Sequence, residues 1–269
     1  MTEICYHLGF GAADLGSPRP AAVLLCGDPE RARQIAARPG LRCLRTLSEN
    51  RGLCSYLLET EDGLRLVAAT SGMGAPSLSI VVNELVQLGL RCIVRVGTCG
   101  GIGQQVRAGH LVVSSAALCR QGAALDIAPV EYPAAADPFL TVALADAARA
   151  AKHPWHLGVT ASVDTFYEGQ ERAVTSANPH LLRSLQGTTE EYRRLGILNY
   201  EMEAGTLFKM AGVYGFSAGC VCAVLADRAA GEQVRPEVKE QAVSGAVDVA
   251  LAGVASWAAA RDDAAPESR

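Results

Sequence analysis

Short runs that are apolar on both of their alternating faces recur along this chain, each followed by a turn and, in most cases, a helical stretch. Residues 21–26 lead through Gly27-Asp28-Pro29 into a helix at 30–37. Residues 64–69 end at Ser71-Gly72-Met73-Gly74, and a helix follows at about 77–88 until Gly89 stops it. Residues 92–96 form a further buried strand, capped by the glycine-rich turn Gly97-Thr98-Cys99-Gly100-Gly101, and 111–118 and 158–162 are two more. Beyond a polar patch near 188–194 the chain reads strand, turn and helix through 197–213. An all-apolar strand at 216–226 and a long alanine-rich helix at 238–260 complete it. A strand without a polar face must be covered on both sides, and helices do this for parallel sheets. The pattern predicts an α/β fold, three layers (α/β/α) about a mixed, mainly parallel central sheet. No repeat, low-complexity linker or compositional break divides the chain. Residues 1–269 are therefore expected to form one domain, with a core at about 7–260 and a flexible tail at 261–269.

Hydrophobic residues make up 49% of the sequence and charged ones 19%, which supports a large core and excludes wholesale disorder. A formal charge of −4 argues against nucleic acid or an anionic membrane as partner, so any anion site must be a local cluster of arginines. The nine cysteines, Cys26, Cys92, Cys119, Cys220 and Cys222 among them, lie mostly in apolar runs and form no CxxC pair; they read as reduced core residues of a cytoplasmic protein. The five histidines form no zinc motif, and the one close pair, His153 and His156, is expected at the surface. The first residues show no basic region ahead of an apolar stretch, so no secretory signal is expected. The longest apolar segments, broken by Asp227 and Asp248, are expected to fall short of a membrane span.

Candidate chemistry lies in four places. Asp164-Thr-Phe-Tyr-Glu-Gly-Gln-Glu-Arg172 sets an aromatic ring, a carboxamide and a guanidinium close together, the groups that grip a planar heterocycle with adjacent carbonyl and N–H groups. Arg31 follows Gly27-Asp-Pro, and Arg95 lies inside an apolar strand. A buried Arg must be paired or bind an anion; either an ion pair with Glu84 or Glu203, or a phosphate cradle with Arg31 and Thr98, satisfies that demand. Asn199-Tyr-Glu-Met-Glu203 places two carboxylates at a strand-to-helix junction. They suit either a vicinal diol such as ribose or the charge balance of a helix N-terminus. The glycine-rich turns do not fit the dinucleotide fingerprint.

Taken in order, Gly27-Asp-Pro-Glu-Arg31, Arg95-Val-Gly-Thr-Cys-Gly-Gly101, Asp164 through Arg172 and Asn199-Tyr-Glu-Met-Glu203 resemble the nucleoside phosphorylase family, its uridine-cleaving members in particular. The resemblance runs from about His7 to the C-terminal helix. It implies a single α/β domain, a hexamer whose smallest active unit is a dimer, and reversible phosphorolysis of uridine to uracil and ribose 1-phosphate. Gly27, Arg31, Arg95 and Thr98 would hold phosphate, completed by an arginine of the neighbouring subunit, Arg51 or else Arg45. Glu203, with Met202 and Glu201, would hold the ribose hydroxyls, and His7 would reach the 5′-hydroxyl across the dimer interface. Phe166, Gln170 and Arg172 would grip uracil, with Thr98, Cys99 and Gly100 bordering the nucleoside. No metal or organic cofactor is implied; phosphate is a co-substrate. Some relatives bind a monovalent cation at the dimer interface, but Gly52 stands here where its glutamate is expected. Two departures bear on specificity. Cys99 replaces a hydroxyl residue beside the base. Asp227 before Arg228 replaces Asn, either pairing with Arg228 or protonating a purine leaving group. A purine or broad-specificity phosphorylase, a nucleosidase of the same family, and a non-catalytic nucleoside-binding protein are the competing readings.

Overall fold

A computed structural model describes residues 4–151, 153–228 and 236–264. In chain order the elements are β1 (Ala22–Cys26), α1 (Pro29–Ala36), β2 (Leu41–Ser48), β3 (Ser55–Thr60), β4 (Arg65–Thr70), α2 (Ala75–Gln87), β5 (Cys92–Gly101) and β6 (Leu111–Arg120). The short α3 (Gly122–Leu125), α4 (Pro138–Ala150), β7 (Trp155–Val163), α5 (Thr188–Arg194), β8 (Asn199–Glu201), α6 (Ala204–Tyr214), β9 (Ser217–Asp227) and α7 (Pro236–Ala264) follow. The strands form one sheet in the order β2-β3-β4-β1-β5-β8-β7-β6-β9, and a further parallel pairing folds the last strand, β9, back onto the middle one, β5. Strands β5, β8, β7, β6 and β9 thus close a ring, while β1, β4, β3 and β2 extend from β5 as an open wing.

The double-sided apolar strands do what their pattern requires. Along β1, Val23 and Leu25 point into one core with α2 and α6, while Ala22, Leu24 and Cys26 point into a second with α1, α4 and α7. The single α/β domain with a mixed sheet is the fold expected. Strand β5 runs further than the sequence suggests: the 97–101 segment read as a turn stays in the ladder, because β9 pairs with it as far as Gly101↔Asp227 after a shift between Cys99 and Gly100. The polar patch at 188–194 is helix α5, whose Tyr192 is buried with Ile197 and Tyr200. Helix α4 begins with Asp137 accepting from the Leu140 amide at 2.9 Å and with Pro138 at its first position.

Helix α7 continues to Ala264, through the first residues of the expected tail, and Arg261 stacks on Trp257 at 4.8 Å; residues 265–269 lie outside the described residues. Its segment Val238–Arg261 is long and apolar enough to cross a membrane, contrary to the expectation from sequence. Half of its most apolar window is buried inside the protein: Ala246, Val249, Ala250 and Val254 pack with Leu140 and Leu144 of α4.

The histidine pair also differs from expectation. Parallel pairing of β6 with β7 sets His156 beside Val112. His110, just before β6, comes to 2.9 Å from it (Nδ1 to Nε2), the rings stacked. His153 instead packs on Gly245 of α7. Burial lowers the pKa of both paired rings, with nearby Arg107 adding to it and, for His110, the His156 ring too. A base whose folded pKa lies below its unfolded value stabilises the fold fully above that value, near 6.5, and loses the contribution as pH falls through it. Melting temperature is expected to drop between about pH 7.5 and about pH 5, and less steeply in His110→Gln/His156→Gln. Equal slopes in calorimetry would refute this role for the pair.

Candidate active site

A cavity of about 550 Å³ opens where the carboxyl ends of β1, β5 and β9 meet the start of α6 and the 164–172 loop. Ligands favour this end of parallel strands because helix N-termini and turn amides gather there. Gly27, Arg31, Arg95, Thr98, Cys99, Gly100, Phe166, Gln170, Arg172, Glu201, Met202 and Glu203, drawn from the motifs separately recognised in the sequence, all line it.

At its inner end Arg95 is enclosed by two carboxylates. Its Nε lies 3.0 Å from Glu201 Oε2 and its Nη2 2.5 Å from Glu203 Oε2, all three side chains being almost fully buried. The ion pair considered for Arg95 is therefore real, with Glu201 added to Glu203; Glu84 is engaged elsewhere, accepting from His7 Nδ1 at 2.6 Å and from the Leu8 amide at 2.8 Å. Glu201 Oε2 also accepts from the amides of Glu203 and Ala204, both at 2.8 Å, and Ser162 Oγ bonds Oε1. Glu201 is thereby saturated by the protein itself and caps α6. Burial pushes its carboxyl up to about 7 against the pull of Arg95, with Glu203 adding to the rise. Burial opposes the charge of Arg95 too, but Glu203 and Glu201 outweigh it and hold the guanidinium protonated.

Glu203 is differently placed. It stands at the cap position of α6, and its Oε1 accepts from the Gly74 amide at 2.6 Å, where α2 begins. Arg31, buried on α1, donates Nη1 to the Val96 carbonyl at 3.3 Å while its Nε has no partner among the described residues. A buried unpaired guanidinium N–H is costly unless an acceptor completes it, and an oxyanion beside Gly27 and Thr98 fits that demand. The conformation of Arg95 depends on Gly97: a Cβ there would stand 2.8 Å from the Arg95 Cζ and Nη2.

At the other end the 164–172 loop presents its three groups together. The Arg172 guanidinium lies 4.3 Å over the Phe166 ring, and its Nε is 3.4 Å from Gln170 Oε1. Glu171, between Gln170 and Arg172, takes a left-handed φ of 57° and accepts from the Gly187 and Thr189 amides at the head of α5. This anchor was missed in the sequence; its only signal was an acidic residue between two recognised ones. Gly100 leaves room for two arginines, since a Cβ would lie 3.1 Å from Arg228 Cδ and 3.4 Å from Arg172 Nη2. Arg228 donates to the Gln170 carbonyl and lies 5.2 Å over Tyr200. Among the described residues no ion pair joins Asp227 to Arg228 as expected; Asp227 Oδ2 is instead 3.4 Å from Arg107 Nε, because residues adjacent at a strand end face opposite ways.

His7 and Arg51 do not line this cavity in their own chain. Arg51 is exposed in a 3₁₀ turn with a left-handed φ of 55° and makes no ion pair among the described residues, whereas Arg45 pairs with Asp14 at 3.0 Å. Met73, Tyr200, Leu225 and Lys239 also line the cavity and were not foreseen; Lys239 arrives from α7, far along the chain.

Gly97→Ala is expected to weaken binding of inorganic phosphate by displacing Arg95, with a loss on the order of 10²-fold. Calorimetric titration with phosphate checks it; unchanged affinity in a folded variant would contradict the packing argument.

The comparisons agree with this geometry. A family model described as the phosphorylase superfamily matches residues 21–255. Uridine phosphorylase of Salmonella typhimurium is 39% identical over 246 residues, covering 91% of this chain and 95% of the relative. That of Escherichia coli K12 matches with the same identity and coverage, and that of Haemophilus influenzae is 37% identical over 251 residues, covering 92% and 97%. With four motifs brought to one cavity and a match across nearly its whole length, the chain belongs to the phosphorylase superfamily, in its nucleoside phosphorylase family.

Proposed function

We propose that this chain catalyses the reversible phosphorolysis of uridine to uracil and ribose 1-phosphate, a pentosyl transfer to phosphate in pyrimidine nucleoside salvage or catabolism. The observation that carries this reading is one cavity with two unlike ends: Arg31 and Arg95 at one, Phe166, Gln170 and Arg172 at the other, and Glu203 near the anion end. The uridine phosphorylases at 37–39% identity support it.

The chemistry follows from the charges. Cleaving the bond from ribose C1′ to N1 of the base builds positive charge on the sugar and negative charge on uracil. Phosphate held by Gly27, Arg31, Arg95 and Thr98 stabilises the first and attacks C1′ from the opposite face. The Gln170 carboxamide and the Arg172 guanidinium stabilise the second at the carbonyl oxygens, while Phe166 stacks on the ring. Glu203, with one oxygen fixed by Gly74 and the other by Arg95, accepts from the ribose hydroxyls, and Met202 packs on the sugar. Glu201, already saturated, acts through Arg95. Phosphate is the co-substrate, and side chains supply the remaining groups.

The proposal includes a homo-oligomer, with a dimer as the active unit inside a hexamer. Its support is that Arg51 and His7 do not line the cavity of their own chain, so that a neighbour's cavity is where they would serve. The nine free cysteines support a cytoplasmic setting.

The deciding experiment offers uridine, thymidine and inosine to purified protein with and without phosphate and resolves bases and sugar phosphates by chromatography. Uracil and ribose 1-phosphate formed only with phosphate support the proposal. Preference for inosine would move the function to purines, phosphate-independent release would make a nucleosidase, and binding without turnover a carrier. Arg172→Ala is expected to lower kcat/KM for uridine on the order of 10²–10³-fold while leaving the phosphate Kd unchanged. An equal loss of both would contradict the division of the cavity.

A further inference from the structure

Helix α6 is capped by side chains that are not its own. The first amides of a helix have no partner within it, and the residue at the cap position ordinarily turns its side chain onto the second or third of them. Glu203 holds that position, yet its carboxylate bonds no amide of α6 among the described residues. Each open amide is taken from elsewhere. Those of Glu203 and Ala204 donate to Glu201 on β8, that of Gly205 donates to Ser162 Oγ on β7 at 2.8 Å, and that of Thr206 donates to Gln121 Oε1 at 2.9 Å. From Leu207 onward the helix bonds itself, beginning with the Leu207 amide on the Glu203 carbonyl.

Gln121 lies between β6 and α3, is 2% exposed and does not line the cavity. Its Oε1 also accepts from the Thr206 hydroxyl at 2.9 Å, and its Nε2 donates to the Met202 carbonyl at 2.5 Å. The carboxamide thus uses its acceptor and its donor at once, clasping the turn from Met202 to Thr206 in which Glu203 sits. Its backbone is held separately, since the Gly122 amide donates to Asp164 Oδ2 at 2.7 Å at the start of the 164–172 loop. The positive end of a helix attracts a carboxylate, and an open amide in the first turn would give that attraction a partner. With every such amide occupied, Glu203 keeps one oxygen on the Gly74 amide and the other on Arg95.

We propose that Gln121 is a positioning residue for the ribose: by occupying the Thr206 amide and the Met202 carbonyl, it keeps Glu203 from capping its own helix and leaves that carboxylate to the sugar hydroxyls. The proposal rests on the reading that Glu203 accepts from ribose. Without the Gln121 side chain, the Thr206 amide opens three residues along from Glu203, the reach of an ordinary cap bond. Glu203 then turns onto it and ribose loses its acceptor, while Phe166, Gln170 and Arg172 stay as they are, because the Gly122–Asp164 bond needs only backbone from this segment.

Gln121→Leu removes both hydrogen bonds at similar volume, and calorimetric titration without phosphate reads uridine and free uracil separately. The uridine Kd is expected to rise on the order of 10–10²-fold, the worth of a hydrogen bond to a charged group, with the uracil Kd unchanged. Equal weakening of both would mean general damage to the cavity and overturns the proposal. Gln121→Glu keeps an acceptor for the Thr206 amide and is expected to bind uridine within a few-fold of the parent; a loss as large as that of Gln121→Leu contradicts it. In a Glu203→Ala background, adding Gln121→Leu is expected to cost nothing further, and an additive loss shows that Gln121 does not act through Glu203. A crystal structure of Gln121→Leu reads the carboxylate directly: Glu203 on the Thr206 amide supports the proposal, and Glu203 still on Gly74 and Arg95 refutes it. That structure decides the matter without substrate, whereas a parent protein that binds no uridine would sink the proposed reaction instead.

Discussion

Arg95 between Glu201 and Glu203 is the interaction on which the rest of the site depends. One cation flanked by two anions, all removed from water, carries a desolvation cost that only dense hydrogen bonding offsets. The structure supplies it from three elements. Glu201 on β8 takes two amides at the head of α6 and the hydroxyl of Ser162 on β7, and Glu203 takes the amide before α2. Removing Arg95 would strand two buried carboxylates, typically a loss of about 3–5 kcal/mol. The cluster is thus a joint between helices and sheet as well as the floor of the cavity.

That joint is possible because the sheet closes. Pairing of β9 along the whole of β5 brings Arg95, Gly97 and Cys99 alongside Cys220, Cys222 and Val224. β8, antiparallel to the end of β5, delivers the carboxylates. The same closure carries β5 on to Gly100, where two arginines converge on Gln170. Geometry at the anion end and geometry at the base end are therefore properties of one strand, and a shift in β5 would be felt at both.

Much of this was legible in the sequence because burial on both faces of a strand leaves a nearly unbroken apolar run, as in β1, β4 and β9. Four motifs pointed to the cavity before any coordinate did. What stayed hidden was set by partners distant in sequence. β5 outlasts its glycines because β9 holds it, and α5 is a helix because Tyr192 finds the pocket formed by Ile197 and Tyr200. Asp227 finds Arg107 rather than its neighbour. The pairing of Asp137 with Pro138 at the start of α4 was a readable cap signal that was passed over. The saturation of Glu201, which separates its role from that of Glu203 two residues away, required every donor around it to be placed.

A crystal structure with phosphate and a non-cleavable uridine analogue tests the central claim most directly. The account predicts one phosphate oxygen on the Nε of Arg31, another on Arg95 while both glutamate pairs remain intact, and ribose hydroxyls on Glu203 but not on Glu201. Phosphate bound away from Arg31, or Arg95 released from its carboxylates to reach it, would contradict the account.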